Sequence, residues 1–401
     1  MKLIQIIFTF LIFISIISCS SEDSNEEEKV VELSLSSISD FSANQETKSL
    51  AVTANLYWYT ENNNDWIILT PTNGTNNGTI NIAVSSNPTE VKRTGIISVI
   101  GGDVSRNLTI TQTGKEPNTG GLDASKTPSE NFDLSTWNLS IPEDKGNGTA
   151  TTITVNQINN NYENSNYFYT GDDGGMVFKC PVDGFKTSAN TSYVRVELRE
   201  MLRGTNTSIS TQGVNKNNWV FGTAPLADKN AAYGYDGEMN ATVAVNHVTT
   251  TGNSNQVGRV IIGQIHANDD EPIRLYYRKL PNNSLGSIYF AHEPTDGNGN
   301  EQWHEMIGSR SSSASNPTDG IALNEKFSYR IRTVGDVLTV IIFREGKDNV
   351  VKTINMASSG FNIGGQYMYF KAGVYNQNNS GDADDYVQAT FYALEKSHTT
   401  L

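Results

Sequence analysis

The sequence predicts an all-β protein built as two β-sandwiches, the second large enough to be a jelly roll. Three observations lead there. Helical periodicity is scarce, and short runs rich in Val, Ile, Thr, Tyr and Phe alternate with polar residues. Clusters of Gly, Asn, Asp and Ser separate those runs. At 401 residues the chain is too long for one typical domain.

The first 18 residues read as a processing signal. Lys2 precedes an apolar run from Leu3 to Ile17, and "IISCS" at 16–20 resembles a lipobox with cleavage before Cys19 and lipid attached to it. The run is short for a membrane span of about 20 residues. Residues 19–29, with "SSEDSNEEE", form an acidic tether that resembles the surface-export signals of some outer-membrane lipoproteins or is simply a solvated linker. The expected location is the outer membrane, held by lipid on Cys19 only, at the cell surface or on the periplasmic face. Cys180 is then the one remaining thiol, so no intramolecular disulfide can form. In "MVFKCPV" it reads as a small buried hydrophobe.

Residues 30–114 form the first unit. Trp66, Ile80, Ile82, Val84, Ile96, Val99, Leu108 and Ile110 mark short strands between Asn, Gly and Pro turns. The tryptophan, "RTGIISV" and the closing "LTITQ" resemble the BACON module. That resemblance implies an immunoglobulin-like sandwich placed ahead of a carbohydrate-active enzyme, as a spacer or as a glycan binder, with the spacer favoured. "KEPNTGGLDASKT" supplies the linker at 115–127. The second unit, 128–401, is long enough for a large sandwich or jelly roll. Its Asn-x-Ser/Thr triplets, such as the one at Asn138, read as turns.

Three segments of the second unit share a peculiarity. "SYVRVELRE" at 192–200 sends Val194, Val196 and Leu198 to one face, and Tyr193, Arg195, Glu197 and Arg199 to the other. "VIIGQIHA" at 260–267 sets Ile261, Gly263 and Ile265 opposite Ile262, Gln264 and His266. "YFKAGVYNQ" at 369–377 sets Phe370, Ala372, Val374 and Asn376 opposite Tyr369, Lys371, Gly373, Tyr375 and Gln377. Each strand can bury aliphatics and present polar groups. If the three are neighbours, those groups make one cationic, amide-rich, phenolic patch. Taken singly, the Arg195-x-Glu197-x-Arg199 row could be a surface ion-pair row of small energetic value.

Together, "RVELR", "QIH" and "YFKAGVYNQ" resemble the motifs of alginate lyases of polysaccharide lyase family 7, over roughly residues 128–396 and including the opening "NFDLSTWNLSIP". The resemblance implies a jelly-roll catalytic domain acting on alginate, a chain of mannuronate and guluronate. Such a lyase removes the C5 proton and expels the C4 oxygen. The proton is barely acidic beside an anionic carboxylate, so donors and cations must face that carboxylate. By the same resemblance, Arg195 and Gln264 bind and neutralise it. His266 joins that neutralisation or serves as base, and Tyr375 is the catalytic tyrosine. Nearby cations should favour its phenolate. In mannuronate one tyrosine can handle both proton and leaving oxygen; in guluronate His266 would take the proton and Tyr375 protonate the oxygen. Arg199, Lys371 and Gln377 are expected to hold neighbouring sugars, with Glu197 among them but orienting the two arginines. Tyr369 reads as structural. Ile265, expected to face the core, carries a lean towards guluronate-containing stretches.

Other classes fare less well. The net charge of −14 disfavours nucleic acid as a partner. No cluster has zinc spacing, the family requires no catalytic metal or cofactor, and "SGDADDY" at 380–386 reads as an exposed acidic turn. "HEPTDGNGNEQWHE" at 292–305 reads as a loop, and His247 as structural. Hydrolysis needs two carboxyl groups across the bond, whereas the motif faces offer only Glu197. A non-catalytic surface alginate binder would need neither His266 nor Tyr375. A lyase for another polyuronate, such as glucuronan, is the second alternative. The protein is expected to be a monomer.

Overall fold

The computed structural model describes residues 31–87, 89, 92–114 and 121–400. The apolar leader, Cys19, the acidic tether and the start of the linker lie outside the described residues. Among the described residues, no helix is long and apolar enough to cross a membrane. Two compact units follow.

The first unit contains β1 (Leu33–Leu35), β2 (Glu46–Ala54), β3 (Tyr57–Asn62), β4 (Ile67–Thr70), β5 (Asn73–Thr75), β6 (Gly78–Val84), β7 (Arg93–Gly101) and β8 (Val104–Gln112). They form two four-stranded sheets, ordered β1-β2-β6-β4 and β5-β3-β7-β8. Period-2 alternation buries Ile80, Ile82 and Val84 of β6 and Ile97 and Val99 of β7. Ile96 therefore points outward and is exposed. On β3 the buried Trp58 sits between Tyr57 and Tyr59, both exposed on the opposite face.

The second unit is a sandwich of two antiparallel sheets. One runs β10 (Ala150–Ile153), β9 (Trp137–Asp144), β13 (Arg195–Glu200), β23 (Tyr369–Asn376), β15 (Arg259–His266), β16 (Ile273–Arg278), β17 (Leu285–His292), β18 (Gln302–Ile307), with β19 (Ile321–Ala322) paired to β17. The other runs β11 (Phe168–Thr170), β12 (Met176–Pro181), β24 (Tyr386–Thr399), β14 (Tyr235–His247), β20 (Phe327–Val334), β21 (Val337–Phe343), β22 (Val350–Asn355). One core lies between them. Val196, Leu198, Ile265, Phe370, Ala372 and Val374 meet Phe178, Met239, Val243, Tyr329, Val340 and Phe391 there. Truncating a fully buried ring such as Phe370 to alanine destabilises such a core by about 3–5 kcal/mol. Cys180 is buried in the same core and free, and burial pushes its thiol up, so it packs as a hydrophobe.

Two glycines permit close packing around the motif strands. Gly373 sits at φ 136°, and a Cβ there would come 2.6 Å from the Val196 carbonyl oxygen. Gly263 lies over Tyr329, whose hydroxyl donates to the Ile262 carbonyl at 2.8 Å.

Four expectations need correction or completion. Asn138 lies within β9, paired with Arg199, and not in a turn. Strict alternation fails on β15, where the register slips between Ile261 and Gly263 against both neighbours. The bulge turns Ile262 into the core beside Ile265, and puts Ile261 on the outer face with Gln264 and His266. The 292–305 segment is not all loop: His292 ends β17, and β18 begins at Gln302. His292 is a buried structural residue, bonded to the Pro272 carbonyl at 2.9 Å and the Ser359 hydroxyl at 2.7 Å. His247 is structural as expected and its partner is Tyr386, on which it stacks at 4.1 Å with Nδ1 2.8 Å from the carbonyl of that residue.

Candidate active site

The three peculiar strands are direct neighbours, in the order β13-β23-β15. Across β13 and β23, Arg195 faces Tyr375 and Arg199 faces Lys371. Across β23 and β15, Lys371 faces Gln264 and Tyr369 faces His266. Side chains 60 to 180 positions apart in sequence thus share one outer sheet face. Gln377 follows the end of β23, with its backbone N–H donating to the Arg259 carbonyl at 3.2 Å.

Glu197 is the hub of this face. Its carboxylate is 1% exposed, and it lies 2.5 Å from Lys371 Nζ and 3.2 Å from Arg195, while Gln264 donates to its other oxygen. Both oxygens are occupied, so Glu197 lies beneath the surface rather than against a sugar. It orients Arg195, Lys371 and Gln264, not both arginines. Arg199 is held otherwise, donating to the Glu200 carbonyl at 3.1 Å and the Thr211 carbonyl at 2.7 Å, with its guanidinium 3.8 Å over the Tyr369 ring. Tyr369 in turn stacks on His266 at 5.0 Å and 11°. It is the spacer between an arginine and an imidazole.

His266 Nδ1 lies 2.6 Å from the Ala267 carbonyl, which can only accept, so Nδ1 carries the proton. The lone pair is then on Nε2, 3.3 Å from Glu271 Oε1. Burial, with Lys371, Arg195 and Arg199 nearby, pulls the imidazole down to about 3. Burial and the adjacent Glu293 push Glu271 up to about 7, against Arg274. The imidazole is therefore neutral, and Glu271, hydrogen-bonded to Glu293, holds its proton up to about neutral pH.

Tyr375 departs from expectation. Arg195 lies 3.7 Å over its ring, yet burial outweighs that cation and raises the phenol above its ordinary value. It is a protonated phenol at neutral pH. Lys371 moves the other way, down to about 8, because burial and Arg195 disfavour its charge.

Sequence reasoning missed Glu271 and Arg274, which carry no motif signal. Arg274 gathers Glu271 at 3.4 Å, Glu293 at 3.0 Å and Glu301. It also missed Glu200, the last residue of the first motif strand. Fully buried, Glu200 accepts from Trp219 Nε1 at 3.2 Å and the Phe370 backbone N–H at 3.0 Å. It pairs with Lys396 at 3.0 Å and His398 at 2.8 Å on the opposite sheet. Among the described residues, no group of three or more His, Cys, Asp or Glu could hold a metal ion.

A β-sandwich whose outer face ranges cations, an amide, a neutral imidazole and a phenol has the equipment of a polyuronate lyase. The alginate lyase family model matches residues 132–398, and the BACON model, described as a putative N-terminal binding domain, matches 56–113. An alginate lyase of Klebsiella pneumoniae is 58% identical over 279 residues, covering 68% of this chain and 91% of that protein. The crystal structure of the alginate lyase from Klebsiella pneumoniae superposes with a TM-score of 0.67 at 56% identity, covering 68% of this chain and 98% of the other. The fold is also that of an exolytic family 7 alginate lyase from Zobellia galactanivorans, with a TM-score of 0.51 at 21% identity over 68% of this chain and 98% of the other. The chain belongs to the alginate lyase family, polysaccharide lyase family 7, and its activity is that of an alginate lyase.

Proposed function

We propose that this lyase acts preferentially on guluronate-containing stretches, with His266 as base and Tyr375 as acid. Arg195 and Gln264 bind the C5 carboxylate and take up the charge that develops when the C5 proton leaves. Removing one such donor lowers kcat by about 10²–10³. His266 Nε2 accepts the C5 proton, and Tyr375 donates its phenolic proton to the departing C4 oxygen. Arg199, Lys371 and Gln377 serve neighbouring sugars or hold the charge balance of the site.

The observation that supports this reading is the His266 tautomer: the Ala267 carbonyl, 2.6 Å from Nδ1, leaves the lone pair on Nε2, near a Tyr375 phenol whose ionisation burial disfavours. Guluronate presents the C5 proton and C4 oxygen on opposite sides, and so needs a neutral base and a separate, protonated acid. Mannuronate elimination by one tyrosine would need phenolate first. The test follows ultraviolet absorbance of the unsaturated product on polyguluronate, polymannuronate and alternating alginate. The parent protein should be fastest on guluronate blocks, and both His266→Asn and Tyr375→Phe should lose that rate. A His266→Asn variant that keeps full activity on polyguluronate would overturn the assignment.

We also propose that the mature chain is a monomer tethered by lipid on Cys19 to the outer membrane. The lipobox-like "IISCS" supports this. Cys19→Ala should shift the protein from the membrane fraction to the soluble fraction; unchanged partitioning would refute the anchor.

A further inference from the structure

We propose that the groove continues beyond Tyr375 into a second carboxylate-binding pocket, organised by Arg259 and Arg310, that captures another uronate of the same alginate chain. The proposal rests on the alginate lyase activity above and extends it to a site outside the three motifs.

The pocket is placed by register. Tyr375 faces Ile261 across β23 and β15, and Arg259 stands two residues further along β15, about 7 Å beyond it. Beside them lies a packed cluster on the outer side of the sheet. Tyr375 and Trp303 pack on the cluster of Ile261, Tyr276, Tyr289 and Ala291, and the rings of Tyr276 and Tyr289 stack at 5.0 Å and 12°. Tyr276 and Tyr289 are buried supports; the half-buried Trp303 above them offers the aromatic face that suits the C–H face of a sugar ring. At the far end opens a cavity of about 440 Å³ whose lining includes Arg259, Arg278, Arg310, Glu305 and the hydroxyls of Ser309 and Ser312.

The charges in this cavity do not cancel. Arg278 is fully used as a strut, donating to the carbonyls of Val257 at 3.3 Å, Arg310 at 2.6 Å and Ser254 at 2.5 Å. Glu305 is used by its own loop, accepting from the Ser309 hydroxyl at 2.7 Å and the Arg310 backbone N–H at 2.8 Å. Arg310 lays its guanidinium 4.7 Å over the Trp303 ring. Arg259 gives one nitrogen to the Gln377 carbonyl at 3.3 Å, while its Nε makes no hydrogen bond. Arginine donors with unused capacity, over an aromatic floor and beside hydroxyls, match a carboxylate on a pyranose ring. In a chain of net charge −14 such a concentration of cation is conspicuous. A polyanion bound at Tyr375 carries a carboxylate on every ring, so its next rings supply the ligand.

The test compares Arg259→Ala/Arg310→Ala with the parent full-length chain on long polyuronate and on the shortest oligouronate the parent cleaves. The double variant should raise KM on the polymer by about tenfold or more, leave kcat within twofold, and leave the short oligomer unaffected. Its KM should also depend less on salt. The Arg259→Lys/Arg310→Lys variant keeps the charge and should recover most of the lost polymer affinity, which separates capture from misfolding. An unchanged polymer KM, an equal loss on the short oligomer, or no recovery with lysine would each overturn the pocket. Failure of the lyase reading itself would show separately, as absence of product absorbance from the parent protein.

Discussion

His266 Nε2 lies 3.3 Å from Glu271 Oε1, a neutral imidazole pulled down to about 3 beside a carboxyl that burial and Glu293 push up to about 7. While Glu271 is protonated, its O–H can cap the lone pair that His266 needs as a base. Once Glu271 ionises, the lone pair is free, and the carboxylate stabilises the imidazolium formed when C5 gives up its proton. Glu271 is a positioning residue in this scheme. Glu271→Gln keeps the shape but holds a permanent N–H donor there. It should lower kcat on polyguluronate at least tenfold, with a smaller effect on polymannuronate. It should also remove an acid limb near pH 7 from the polyguluronate profile. An equal loss on both block types, with the limb intact, would reject the scheme.

Glu197 sits where two cations and an amide converge, and its charge holds them together. Glu197→Gln removes the negative charge while Arg195 and Lys371 stay close. Removing one partner of a buried ion pair costs about 3–5 kcal/mol. Urea denaturation should show a lower midpoint at unchanged slope, together with near-total loss of activity. A loss below about 1 kcal/mol would mean that the hub is not what holds this face in place.

Lys371, held down to about 8, gives the alkaline side of the pH profile. Its positive charge is present below that value and is lost as pH rises through it, so kcat/KM should fall above about pH 8. Lys371→Arg keeps its charge throughout and should move the limb upward. A limb that stays in place in the variant would belong to another group.

Glu200 ties the first motif strand to the opposite sheet, and its folded state has a defined pH signature. Burial alone would raise its carboxyl, but Lys396 and His398 hold it at about 2, below the ordinary value of 4.5. A depressed carboxyl stabilises the fold above its unfolded value, and that stability is lost as pH falls from about 4.5 towards 2. The contribution is on the order of 3 kcal/mol. Glu200→Gln should therefore be less stable at pH 7, and its stability should change less between pH 7 and pH 3. A parallel pH dependence in parent and variant would refute this.

Much of the catalytic face was legible in the chain because strand alternation is a local property. Val196 and Leu198 went to the core and Arg195 and Glu197 to the outer face, as period 2 requires. The same rule failed at Ile261 and Ile262, since a bulge adds a residue that alternation cannot anticipate. The partners of Glu197 were only half legible: Arg195 is two residues away on the same strand, while Lys371 and Gln264 arrive from other strands. Cation proximity suggested a lowered Tyr375, but the sign was set by burial, which no local pattern reports.

By itself the sequence determined the all-β class, the three polar rows and, through them, the family chemistry. Each depends on residue types and spacing within a few positions. Only the tertiary structure decided that β13, β23 and β15 lie side by side out of chain order. The same holds for Glu271 capping His266, for Glu200 reaching across the sandwich, and for Arg259 and Arg310 opening a pocket past Tyr375. Those contacts join residues that share no motif. Protonation states follow from the burial and the neighbours that folding creates.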